Sequence, residues 1–258
     1  VEVGEGLELL GEKEAHLLVL TGAGVSAESG LRTFRDSNGL WEEHRVEDVA
    51  TPEGFDRDPE LVWRFYSLRR NQAKSIEPNG GHRALAEIEA RLGDRFLLVT
   101  QNVDGLHQRA GSERVIEIHG SLFRTKCSNC DLEPFDDHTA YLEGRLPTCD
   151  SCGTRGRKAL LRPDIVWFGE MLDPHHLQAI DAFMRRAAGK PFVFLAAGTS
   201  GAVWPAAGLV NQARSLGART ILVNAEPAEN TARFHRFVQG KSASALPALF
   251  DLKGLADR

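Results

Sequence analysis

The sequence has few cysteines and no excess of basic charge. Four cysteines in 258 residues are too few for a disulfide scaffold. Lys plus Arg number 31 against 36 Asp plus Glu, a formal net charge of −5, which argues against a dedicated nucleic-acid binder. The chain carries no internal repeat and no low-complexity tract. Hydrophobic residues at 42% and charged residues at 26% exclude a disordered or collagen-like chain. The acidic start, Val1–Glu5, lacks a basic segment followed by an apolar one, and so predicts no secretory signal. One uncharged run, Pro191–Val210, has about the length of a bilayer span. Gly198, Gly201, Pro205 and Gly208 break it into a buried strand, a loop and a helix start, so no membrane partner is expected. These absences point to a cytoplasmic protein, in a reducing compartment where paired cysteines favour metal over disulfide.

What is present is an alternation. Apolar runs at His16–Leu20, Phe96–Thr100, Val115–Ile118, Phe192–Ala196 and Thr220–Val223 read as buried parallel strands. Between some of them lie helical patterns. Gly81–Leu92 places Leu85, Ile88 and Leu92 on one face and stops at Gly93, and Ala206–Leu216 groups Val210, Ala213 and Leu216. The fold class expected is α/β, a Rossmann-like doubly wound parallel sheet. Two stretches interrupt it. Residues 35–79 hold loops and a helix without a convincing strand, and residues 123–162 hold all four cysteines. Both read as insertions that together form a smaller inserted domain. The tail, Ala245–Arg258, reads as a short closing helix.

Gly22-x-Gly24-x-x-Ala27 follows the first strand and precedes a helix candidate, the context of a dinucleotide fingerprint. Glycines let backbone approach a pyrophosphate, and a helix N-terminus offers free N–H donors. A tight turn without ligand has the same local pattern. The acid that dehydrogenases carry about 20 residues later has no strand to place it here, and Glu226 after Thr220–Val223 is the better ribose partner. The other strand ends are polar too: Gln101-Asn102-Val103-Asp104, His119-Gly120, Gly198-Thr199-Ser200 and Asn224-Ala225-Glu226. Ligands of open α/β sheets bind at the carboxyl ends of strands, so these ends define a crevice. His119 is the general-base candidate, since an imidazole titrates near neutrality.

Cys127, Cys130, Cys149 and Cys152 read C-x2-C, eighteen residues, C-x2-C. Two such knuckles close a tetrahedron and leave no position for water, which predicts one structural zinc. His138 lies between the pairs but is not needed. Asp58-Pro59-Glu60 starts a helix, with Leu61, Val62, Phe65 and Leu68 as its apolar stripe. Tyr66 and Arg69 are three apart and share an adjacent face, where a hydroxyl and a guanidinium could grip a carboxylate or simply face solvent.

Together these strings resemble the sirtuin (Sir2-type) family of NAD-dependent protein deacylases. Gly22-Ala23-Gly24-Val25-Ser26-Ala27-Glu28-Ser29-Gly30 with Thr33-Phe34-Arg35 resembles its first signature, and Thr100-Gln101-Asn102-Val103-Asp104-Gly105 through Gly111 its second. His119-Gly120, the cysteine knuckles, Val166-Trp167-Phe168-Gly169-Glu170, Gly198-Thr199-Ser200 and Asn224-Ala225-Glu226 follow in family order, across residues 16–250. Arg32 stands where many members have proline, a variation familiar in bacterial members.

The resemblance implies roles. Gly22, Ala23 and Gly24 would hold the NAD phosphates, with Phe34 and Arg35 on a cofactor loop. Gln101, Asn102 and Asp104 would line the nicotinamide and its ribose. Gly198, Thr199, Ser200, Asn224 and Glu226 would hold the adenosine half, with Ala243 closing over the adenine. His119 would be the base, and Val166, Phe168, Gly169 and Glu170 would pair with an acyl-lysine peptide. The implied reaction releases nicotinamide and O-acyl-ADP-ribose, so NAD is consumed rather than reduced. Tyr66-x-x-Arg69 and the stretch Gly39–Gly54 resemble the class III branch, whose pocket accepts succinyl- and malonyl-lysine. Removal of acetyl as well as acidic acyl groups is therefore expected. Mono-ADP-ribosyl transfer on the same fold is the alternative, and a non-catalytic zinc-ribbon binding module is a third reading, disfavoured by the charge. The implied organisation is an NAD-binding core in three parts, 1–34, 80–122 and 163–258. It is split by a cofactor loop and helical insert at 35–79 and a zinc ribbon at 123–162.

Overall fold

The computed structural model describes residues 10–11, 14–31, 40–41, 44–154, 156 and 159–252. Strand β1 (His16–Thr21) is buried along its whole length and leads through Gly22 into the short helix α1 (Ala23–Ala27). Strands β2 (Leu40–Trp41) and β3 (His44–Arg45) form a small antiparallel pair. Helices α2 (Val46–Val49), α3 (Pro52–Arg57), α4 (Pro59–Ser75) and α5 (Gly80–Leu92) follow. Next come β4 (Phe96–Thr100), α6 (Leu106–Arg109), β5 (Val115–Glu117), β6 (Gly120–Cys127), β7 (Phe135–Asp136), α7 (Asp150–Gly153) and β8 (Leu161–Ile165). The chain then runs through α8 (Pro174–Ala187), β9 (Phe192–Ala197), α9 (Leu209–Ser215), β10 (Arg219–Asn224), β11 (Arg236–Gln239) and α10 (Ser242–Leu249).

Six strands form one parallel sheet in the order β11-β10-β9-β1-β4-β5. Counted along the chain within this sheet, that is 6-5-4-1-2-3, the order of two mononucleotide-binding halves that meet beside the first strand. Alternate residues of β1 face opposite layers. Leu17 and Val19 pack with Leu85 and Ile88 of α5 and Leu246 and Leu249 of α10. Leu18 and Leu20 pack with Ile180 and Met184 of α8 and Val210 and Ala213 of α9. Covering both faces is what lets a parallel sheet read as unbroken apolar runs.

A second, three-stranded antiparallel sheet, β7-β6-β8, begins at Gly120 and ends at Ile165, slightly wider than 123–162. Helix α4 packs on it, and Trp63, Tyr66, Leu122, Leu161, Trp167 and three cysteines share one core. Asp58 caps α4 by accepting from the Leu61 N–H at 2.9 Å, with Pro59 in the first turn.

The structure corrects several expectations. Residues 35–79 do contain strands, β2 and β3, each too short for alternation to register in sequence. Of the expected stripe on α4, Val62 and Phe65 are buried and Leu61 is partly buried against the same core, but Leu68 is 49% exposed, while Trp63, Tyr66, Arg69 and Arg70 are buried as well. The helix is wedged between a sheet and loops, so its covered surface is wider than one apolar stripe. Ala206–Leu216 is a 3-10 turn at Ala206–Gly208 followed by α9 rather than one helix. The closing helix begins at Ser242 and ends at Leu249. Strand β11, with Arg236 and Gln239 at its ends, lacks the apolar run that marks a central strand, as an edge strand can. Among the described residues, no helix is long and apolar enough to cross a membrane.

Candidate active site

The sheet reverses its order between β1 and β9, the switch point outside whose carboxyl strand ends open α/β sheets bind their ligands. The turn after β1 is drawn onto β9: the Gly22 N–H donates to Ala197 O at 3.1 Å and the Gly24 N–H to Gly198 O at 2.8 Å. A Cβ on Gly22 would come within 2.8 Å of Gly198 O, and one on Gly24 within 2.8 Å of Gly198 Cα. Only glycine fits at either place, and the result is bare backbone at the switch point, where a pyrophosphate needs close approach. Ala23 is exposed beside it. Phe34 and Arg35 lie outside the described residues.

Ser26 sits at the centre of the polar floor. Its hydroxyl donates to Asp104 Oδ2 at 2.7 Å and accepts from Asn102 Nδ2 at 3.0 Å. The same Asn102 amide donates to Gly22 O at 3.1 Å, and the Leu106 N–H donates to Asp104 Oδ1 at 2.9 Å. Burial raises the Asp104 carboxyl, opposed by the Leu106 and Ser26 hydrogen bonds. Gln101 Nε2 donates to Thr199 Oγ1 at 3.1 Å, bridging β4 to β9. Asn224 clamps the Thr199 main chain, accepting from its N–H at 3.1 Å and donating to its carbonyl at 2.7 Å. Ser200 follows, and Glu226 is exposed just beyond β10. The Ala243 N–H donates to Glu28 Oε2 at 2.8 Å, tying the start of α10 to the segment after α1.

His119, two residues past β5, is half-buried, with Nδ1 3.0 Å from Gln101 O. A carbonyl only accepts, so Nδ1 carries the proton and Nε2 is the basic nitrogen. Burial lowers its pKa, and the Gln101 hydrogen bond opposes this. The His119 carbonyl accepts from the Val166 N–H at 2.9 Å, placing Val166–Glu170 alongside. Phe168 is 55% exposed, its N–H donating to Ala50 O at 3.0 Å, and Gly169 turns with a φ of 91°. The Glu170 carboxylate is turned inward, onto Arg162 and the Trp167 N–H.

Tyr66 and Arg69 are both buried, and the Tyr66 hydroxyl accepts from Trp167 Nε1 at 3.0 Å. The Arg69 guanidinium lies 5.8 Å from the Phe65 ring. Burial raises the Tyr66 phenol, so its proton stays on.

A scan against family models matches residues 22–205 to the Sir2 family. This chain belongs to that family. It is 48% identical over 247 residues to an NAD-dependent protein deacylase of Escherichia coli strain K12, covering 94% of this chain and 84% of the relative. A protein of the same name from Yersinia pestis is 46% identical over 237 residues, covering 91% and 81%. A solved Sir2 homolog–NAD complex superposes with a TM-score of 0.86 at 40% identity, over 98% of this chain and 94% of that one. A Sir2 bound to acetylated peptide superposes at 0.81 with 28% identity, over 99% and 100%.

In this sirtuin the four cysteines are free thiols whose Sγ atoms lie within 4.8 Å of one another. Cys127 to Cys152 and Cys130 to Cys149 are each 3.7 Å, far beyond a disulfide bond. A tetrahedron of ~2.3 Å Zn–S bonds has edges of ~3.8 Å, so the set is positioned to hold one structural zinc. The Asn129 N–H donates to Cys127 Sγ at 3.3 Å, which suits a thiolate ligand.

Three residues that the structure joins to the candidate site residues were not singled out from the sequence. Ser26 lies inside the glycine string, but nothing local reveals that its hydroxyl joins two strand ends. Trp167 sits between residues singled out as peptide partners, yet its indole faces Tyr66. Arg162 precedes them in β8 and had no signal at all.

Proposed function

We propose that this sirtuin is an NAD-dependent protein-lysine deacylase that removes acetyl and acidic acyl groups, succinyl and malonyl, releasing nicotinamide and O-acyl-ADP-ribose. The observation that carries the reading is His119, basic at Nε2, set between the polar floor of the crevice and the Val166–Glu170 edge. Bound NAD supplies a glycosidic carbon that can exchange nicotinamide for the acyl oxygen. Gln101, Asn102 and Asp104 line the nicotinamide and ribose end, with Asn102 and Asp104 fixed by Ser26. Gly22, Ala23 and Gly24 present backbone to the phosphates, and Gly198, Thr199, Ser200, Asn224, Glu226 and Ala243 receive the adenosine half. His119 Nε2 removes the proton of a ribose hydroxyl. Val166, Phe168, Gly169 and Glu170 guide an acyl-lysine protein or peptide to it. Tyr66 donates through its hydroxyl, and Arg69 offers paired N–H donors to a terminal carboxylate.

The test is product analysis. The protein is incubated with NAD and matched acetyl-, succinyl- and malonyl-lysine peptides, and the products are weighed. O-acyl-ADP-ribose from each peptide is expected. ADP-ribose found on the peptide, with none released as the acyl ester, would favour transfer over deacylation. Arg69→Met should depress desuccinylation tenfold or more relative to deacetylation, and equal loss of both would remove Arg69 from acyl recognition.

A further inference from the structure

Four side chains form a chain of contacts that ends on Tyr66. Arg162 donates to Glu170 through two nitrogens, at 2.6 and 2.9 Å, and to Ile165 O at 2.8 Å. Its guanidinium carbon lies 3.4 Å from the centre of the Trp167 ring, a close cation–π stack. Trp167 is 2% exposed, and its backbone N–H donates to the same Glu170 carboxylate at 2.8 Å. Phe55 closes another side of the indole at 5.4 Å between ring centres. So held, Trp167 donates Nε1–H to the Tyr66 hydroxyl at 3.0 Å.

This arrangement does something definite to the tyrosine. A phenol oxygen has one proton and a limited set of acceptor directions. When an indole N–H occupies one side of the oxygen, the O–H must turn away from it. The indole thus narrows the directions open to the O–H before any acyl group arrives. That lowers the ordering cost of a hydrogen bond to the acyl terminus.

We infer that Arg162 is a positioning residue: with Glu170 it fixes Trp167, and through the indole it sets the direction in which Tyr66 donates, biasing the pocket toward acyl groups that end in a carboxylate. The inference rests on the reading of Tyr66 and Arg69 as the groups that recognise that carboxylate. Lysine at position 162 would keep the charge opposite Glu170 but lose both the paired donors and the flat stacking surface. Phenylalanine at 167 would keep the ring and lose the N–H.

The test is the ratio of kcat/KM on succinyl- against acetyl-lysine peptides. It is measured for the wild type, Trp167→Phe, Arg162→Lys, Tyr66→Phe and the double variant Tyr66→Phe/Trp167→Phe, each checked for fold by thermal melting. Trp167→Phe and Arg162→Lys should each lower the ratio about fivefold or more, through KM for the succinyl peptide. The double variant should be no worse in ratio than Tyr66→Phe alone, because both changes remove one effect. A merely structural role for Trp167 would give additive losses or equal losses on both peptides, and either result overturns the inference. Should one of the two single variants fail to fold, the other decides. A wild type that turns over acetyl but neither succinyl nor malonyl peptides overturns the acyl reading, and this inference with it. Wild-type desuccinylation with an unchanged ratio in both folded variants overturns the inference alone.

Discussion

The imidazole of His119 is tethered by Nδ1 to the main-chain oxygen of Gln101 at 3.0 Å, across 18 residues of sequence. The bond fixes which nitrogen is basic, while partial burial lowers the pKa from its ordinary 6.5. The imidazole therefore stays neutral, and able to accept a proton, to lower pH than a free histidine would. The acidic limb of the deacylation pH profile is expected below pH 6.5. His119→Tyr should abolish turnover of every acyl peptide without changing the melting temperature greatly. A limb above pH 7, or retained turnover in the variant, would exclude His119 as the base.

Two further histidines predict acid sensitivity of the fold. His82 and His107 are buried with ring centres 4.8 Å apart. Burial lowers His82 to about 3 and His107 well below 6.5. Below pH 6.5 the unfolded chain therefore takes up protons that the folded chain refuses, and stability falls as pH falls. Each proton of difference costs about 1.4 kcal/mol per pH unit. His16 and His119, also lowered, act in the same sense. Glu117, raised to about 7, and Asp104, raised from 3.8, act against them, since the folded state holds those protons more tightly. His82 and His107 both refuse protons across this range while Glu117 takes up one, so urea midpoints should drop between pH 7 and 5. A midpoint that rises over that interval would contradict the assignment.

Arg70 is the joint between α4 and the smaller sheet. It is fully buried and donates to Leu122 O, Asp137, Thr139 O, Arg124 O and Thr125 Oγ1. Removing one partner from a buried ion pair strands the other. Arg70→Met should destabilise the protein by about 3–5 kcal/mol, read from chemical unfolding. A loss under about 1 kcal/mol would mean that water replaces the guanidinium.

The cysteine cluster predicts one zinc per chain by elemental analysis. Cys149→Ala or a strong chelator should remove the metal and lower the melting temperature, because thiolates 3.7 Å apart repel without a cation. An unchanged melt in protein verified to be metal-free would refute a structural role.

Much of the fold was legible because parallel strands covered on both faces appear as unbroken apolar runs. All five strands inferred from such runs exist, and each bound lies within a residue of the expected one. Edge strand β11 and the two-residue pair β2–β3 were not legible, since neither has such a run. Helix α4 was read with the correct start and too narrow a face: Val62 and Phe65 are buried as expected, but Leu68 is not. Leu68 is at the rim, while Arg70 goes inside because distant partners satisfy it, and Arg69 is buried beside it. Periodicity counts apolar residues and cannot foresee a buried guanidinium.

The sequence by itself determined what depends on spacing along the chain: the glycine turn, the two cysteine knuckles, the polar residues placed at strand ends and the Tyr66-x-x-Arg69 pair. These follow from helix and strand periods and from the stereochemistry of glycine and zinc. Only the tertiary structure decided which groups meet across long separations. Ser26 reaches Asp104 over 78 residues, and Trp167 reaches Tyr66 over 101. Such bonds are set by the docking of whole elements against one another, and no local pattern encodes their direction.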